Sequence, residues 1–105
     1  MRRALALALV AAGLSASAAV GAEIDTKAGE SIAHTYCAAC HDVGPTQAHA
    51  VPPTFFELAQ DPATTETSLR FLLTHPHEAM PNLRLNADET AEIIAYVLSL
   101  RQRAR

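Results

Sequence analysis

Both cysteines of the chain lie in the pentapeptide Cys37-Ala38-Ala39-Cys40-His41, and no other feature restricts the fold as strongly. Two thiols one helical turn apart reach the two vinyl groups along one edge of a haem. The next residue, His41, is then carried under the iron as its proximal imidazole ligand. Three other chemistries use part of the pattern. A thioredoxin-like redox pair belongs with a βαβ unit, of which there is no sign. A closed zinc site needs four ligands, and Cys37, Cys40, His41 and one distant histidine make an awkward set because His41 directly follows Cys40. A structural disulfide would close a very small loop and leave His41 unexplained. Haem attachment accounts for all three residues.

The size of the chain makes such a staple necessary. Arg2 and Arg3 precede an apolar run from Ala4 to about Val20, and Val20-Gly21-Ala22 ends it in small residues. That order of parts is that of a secretory signal peptide over 1–22. A domain of 83 residues, 23–105, would remain, rich in alanine and poor in large side chains. Such a chain needs a disulfide, a metal or a cofactor to be stable. An uncleaved membrane anchor is the alternative, since an alanine-rich run of 17 residues approaches the length that spans a bilayer. Arg2-Arg3 also matches the start of a twin-arginine signal, but so short an n-region suits the general secretory route better. Loss of Arg2 and Arg3 leaves six basic residues against eleven acidic ones. This balance points away from nucleic acid.

All six prolines fall between Pro45 and Pro81, so the two flanks read as helices and the middle as loops with short helical turns. Asp25 caps the first helix, on which Gly29, Ile32, Ala33 and Tyr36 form one stripe. Thr54 and Glu57 have capping-box spacing, Thr65 caps a helix carrying Leu69, Leu72 and Leu73 that Pro76 stops, and Asn86 with Glu89 opens the last helix. The last helix is apolar over more than one stripe from Ala91 to Leu100, so it should pack on two things at once. No segment alternates as a half-buried strand does, and the class is all-α. Arg101, Arg103 and Arg105 are expected to complement the negative end of the last helix and otherwise to be solvated.

What fills the second face of the iron separates a carrier from a catalyst. Met80 is the sole methionine after removal of the leader, and it sits in the loop-prone run His75-Pro76-His77-Glu78-Ala79-Met80-Pro81. That context favours Met80 as the distal ligand. His75, His77 and His49 are competing imidazoles, otherwise solvated loop residues, and His34 reads as a surface residue of the first helix.

The chain resembles the class I c-type cytochromes of bacteria from Asp25 to Arg101. The likeness rests on Gly29, the Cys37 to His41 motif, Pro53 twelve residues after His41, Met80-Pro81, and the closing Ile94-Ala95-Tyr96-Val97-Leu98-Ser99-Leu100. It implies three to four short helices around one covalently bound haem c, with the terminal helices crossing where Gly29 meets the face carrying Ile93 and Tyr96. It also implies that the Pro53 carbonyl accepts a hydrogen bond from His41. Lys27 is the only lysine, so the lysine-ringed docking face of the mitochondrial branch is not carried over.

Phe55, Phe56, Leu69, Leu72, Leu73, Val97 and Leu98 are the expected haem wall, and burying the haem among them would add on the order of several kcal/mol. An iron with His41 and Met80 as ligands is saturated and moves one electron. The expected function is therefore a monomeric periplasmic electron carrier between a redox donor and an acceptor, with no membrane insertion once the leader is cleaved. The competing reading is a haem enzyme or gas sensor in which Met80 is displaced.

Overall fold

The computed structural model describes residues 8, 10–15, 24–46, 48–75 and 79–101. It contains four helices in the order α1 (Thr26–Tyr36), α2 (Phe55–Gln60), α3 (Glu66–Thr74) and α4 (Ala87–Ser99). Among the described residues there is no strand, in agreement with an all-α fold. Most of the leader, and with it the expected cleavage point, lies outside the described residues. No described helix is long and apolar enough to cross a membrane.

Each helix starts where a side chain satisfies the first free backbone donors. Asp25 accepts from the amides of Lys27 (2.9 Å) and Ala28 (3.2 Å). Thr54 and Glu57, Thr65 and Ser68, and Asn86 and Glu89 each make both halves of a capping box. The α3 helix ends at Thr74, and His75 leaves the helical region at φ −129°, ψ 67°, as a residue preceding proline must. Pro76 itself is outside the described residues.

α4 packs against each of the other three helices, α1 foremost. Its apolar surface serves more than one side: Ile93, Ile94, Tyr96 and Val97 are all buried. The approach of α1 is closest at Gly29. A Cβ there would fall inside the van der Waals shell of the Glu92 carbonyl and 2.9 Å from Tyr96 Cβ, and backbone cannot swing aside as a flexible side chain can. Tyr96, 1% exposed, donates its hydroxyl to the Val43 carbonyl at 2.5 Å. This bond ties the loop after the cysteine motif to the middle of α4.

Two expectations need correction. Tyr36 belongs to the α1 stripe by spacing, yet it is 48% exposed whereas Ala33 is fully buried. The approach is closest at Gly29, and Tyr36 in the last turn borders an open cleft beside Cys37 and Cys40 instead. Arg101 is exposed, yet it is more than a solvated complement to the dipole of α4. Its guanidinium donates to the carbonyls of Ala59 (2.6 Å), Thr64 (2.9 Å) and Asp61 (3.3 Å), latching the chain end to the α2–α3 turn. Arg103 and Arg105 lie outside the described residues.

The crossing generates a stability prediction. Gly29→Ala should lower the unfolding free energy by about 3 kcal/mol through overpacking, read as a drop in the thermal midpoint. Ala28→Gly, one position along the same helix, should cost only about 1 kcal/mol.

Candidate functional site

The end of α1 delivers the cysteine motif. Cys37 is the C-cap of the helix, its amide bonded to the Ala33 carbonyl at 2.8 Å, and its own carbonyl accepts from Cys40 (3.1 Å) and His41 (2.9 Å). The chain is thus wound tightly enough to bring Cys37, Cys40 and His41 to one place. Both cysteines are free thiols, Cys37 buried and Cys40 exposed. Burial pushes the Cys37 thiol above its ordinary pKa.

His41 is oriented by the segment before α2. Its Nδ1 lies 2.7 Å from the Pro53 carbonyl. A carbonyl only accepts, so Nδ1 carries the proton and the Nε2 lone pair is left for a ligand. The imidazole packs against Phe55, with ring centres 5.5 Å apart, and Phe55 in turn against Tyr96 at 6.4 Å. A backbone bond from the Phe55 amide to the Asp42 carbonyl, 2.9 Å, ties the residue after His41 to the start of α2.

Beside His41 opens an apolar cavity of about 110 Å³, lined by Cys37, Pro52, Pro53, Phe55, Leu58, Leu69, Leu72, Leu73, Met80, Ile93, Ile94 and Val97. A second cleft, of about 280 Å³, shares Cys37, His41, Pro52 and Met80 with it, and adds Tyr36, Cys40, Val51, Pro81 and Leu83. The slot they form is almost wholly apolar, with a few convergent polar atoms, as cofactor sites are. Cys37, His41, Met80 and Pro53, four of the five residues singled out from sequence, line the first cavity. Cys40 lines the second.

The wall differs from the sequence expectation in detail. Phe56 and Leu98 line neither cavity, and Leu58, Ile93 and Ile94 take their place. Neighbours on a helix point about 100° apart, and here Phe56 and Leu98 fall outside the part of the helix surface that Phe55 and Val97 turn toward the slot. Helical spacing contained the missing signal: Leu58 is three positions from Phe55, and Ile93 and Ile94 are four and three from Val97.

The competing histidines are engaged elsewhere. His75 stacks on Phe71, ring centres 4.5 Å apart, and its Nδ1 lies 3.0 Å from Thr74 Oγ1. It lines neither cavity. His49 is exposed but is not merely solvated, for its Nδ1 pairs with Glu57 Oε1. His77 lies outside the described residues, and His34 is on the surface. Among the described residues no group of three or more His, Cys, Asp and Glu is set to hold a metal ion. Paired free thiols, an imidazole with a free Nε2 and a thioether around one apolar slot fit a covalently attached haem.

Residues 24–97 match the family described as cytochrome c oxidase, cbb3-type, subunit III. Over 101 residues, 94% of each chain, the sequence is 37% identical to cytochrome c-552 of Bradyrhizobium diazoefficiens. The chain belongs to the class I c-type cytochromes. Its cofactor is accordingly covalently bound haem c, with which Cys37 and Cys40 are consistent. No solved structure matches this cytochrome closely.

Two outcomes follow for the cytochrome. Because a haem would supply much of the apolar surface that the small core packs against, the Cys37→Ser, Cys40→Ser double variant should lose most of its helical circular dichroism and its compact hydrodynamic radius. The Glu57 carboxyl is held below its ordinary pKa, chiefly by His49 and then by the Thr54 amide. Its folded-state pKa is thus depressed, so its contribution to stability is full above the unfolded-state value and is lost as pH falls through the folded one. The protection factors of the Thr54 and Ala50 amides against hydrogen exchange should fall over that acid interval and stay constant above it.

Proposed function

We infer that this cytochrome is an exported single-haem electron carrier with His41 and Met80 as the two axial ligands. The observation that carries the reading is that an imidazole with its Nε2 lone pair free and the Met80 thioether border the same apolar cavity. Haem c bound there would supply a saturated iron that exchanges one electron and offers no vacant position.

The chain's residues account for the rest. The Pro53 carbonyl holds the His41 ring in one tautomer and one orientation, so the ligand need not move between oxidation states. Leu69, Leu72, Leu73, Ile93, Ile94 and Val97 keep water away, which disfavours the extra positive charge of the oxidised form. A soft thioether from Met80 works in the same direction. Tyr36, Val51 and Leu83 border the second, more open side of the slot, where an electron would enter and leave. Residues 1–22 act as the export signal to the periplasm, leaving a domain of 23–105 that meets its redox donor and acceptor as a monomer. Its acidic balance steers it toward basic partner surfaces.

The test is an optical spectrum of the holoprotein. Ligation by Met80 is expected to give the oxidised form a weak far-red charge-transfer band that disappears in Met80→Ala. Wild-type reduced protein should take up carbon monoxide poorly, and Met80→Ala should bind it readily. Ready uptake by the wild type would replace this reading with that of a haem enzyme or gas sensor whose distal side opens.

A further inference from the structure

The hydrogen bond that orients His41 does not end at the Pro53 carbonyl. That carbonyl and the Thr54 amide are the two ends of a single peptide group. The Thr54 N–H donates to Glu57 Oε2 at 3.1 Å, while the Pro53 oxygen accepts from His41 Nδ1 at 2.7 Å. The same Glu57 oxygen also accepts from the Ala50 amide at 3.3 Å, and its other oxygen pairs with His49 Nδ1. Thr54 is 1% exposed, and its hydroxyl accepts from the Glu57 amide at 3.0 Å. The peptide group therefore sits between a carboxylate and an imidazole, locked on both edges.

A capping box needs Glu57 only to satisfy a helix-end donor. Here its charge has a second route. An anion accepting from a peptide N–H draws density through the amide toward the carbonyl oxygen, which becomes a stronger acceptor, since hydrogen bonds in a chain polarise one another. The stronger acceptor pulls harder on the His41 Nδ1 proton and makes Nε2 a better donor to whatever it ligates. We propose that Glu57 is a positioning residue that tunes the reduction potential by acting on His41 through the Pro53–Thr54 peptide. The proposal rests on His41 being an axial ligand. His49 moderates the effect by engaging the other carboxylate oxygen.

Glu57→Gln in the holoprotein tests this, because glutamine keeps an acceptor for the Thr54 amide and removes the charge. The expected result is a shift of the Fe(III)/Fe(II) equilibrium of about threefold toward the reduced form, about 30 mV at 59 mV per tenfold. The His41 Nδ1 proton of the reduced protein should move upfield by NMR as its hydrogen bond weakens. A bare through-space charge effect is screened by salt, whereas this one should persist in 1 M salt. A potential shift that vanishes at high salt, or an unmoved Nδ1 proton, overturns the proposal. His49→Ala, at an exposed position, provides a second test that does not depend on the Gln variant holding haem. Freeing the carboxylate should lower the potential and move the Nδ1 proton downfield, and no movement overturns the proposal. Absence in the wild type of His41 ring resonances shifted by a neighbouring porphyrin would overturn the ligand assignment itself, a result read before any variant is made.

Discussion

The close approach of α1 to α4 at Gly29 is the constraint from which the rest of the structure is built. Without a Cβ at that position the first helix lies directly against the Glu92 carbonyl, and its last turn then delivers Cys37 beside Ile93, Ile94 and Val97. A larger residue would push the helices apart along their length. It would also carry the cysteine motif away from the wall it faces. One hydrogen atom in place of a methyl group thereby governs where the thiols sit.

From that crossing the site is assembled by ties between distant segments. Tyr96 anchors Val43 just beyond the motif, the Phe55 amide anchors Asp42, and the Pro53 carbonyl anchors His41. Arg101 closes the far end on Ala59, Asp61 and Thr64. These bonds hold open a slot that a chain so poor in large side chains does not fill by itself. An apolar lining without partner atoms forgoes their contacts, so a group that fills the slot adds stability. The covalent haem of this family is thus a structural component as well as the redox centre, and the proposed ligands inherit their precision from the ties around them.

Much of this was legible in the residues because it is local. Capping boxes at Thr54 and Asn86 involve groups three positions apart, and the spacing of Cys37, Cys40 and His41 stays within about one turn of chain. A local rule does not by itself give a direction. Phe56 and Leu98 are large and apolar, yet they lie outside the slot that Phe55 and Val97 face. Tyr36 shares the period of the α1 stripe, yet it is half exposed at the border of the second cleft. Arg101 stands at a helix end, yet its partners lie about forty residues earlier.

The sequence by itself determined the helical class, the helix starts, the family and the residues able to hold the cofactor, since each depends on side chains close together along the chain. Only the tertiary structure decided which faces line the slot, that His75 turns onto Phe71 and His49 onto Glu57, and that one peptide group joins Glu57 to His41. Those outcomes depend on packing directions and on contacts closed across loops. Many arrangements of the same short-range preferences would satisfy the local rules equally well, and the energy that chooses among them exists only once the segments have met.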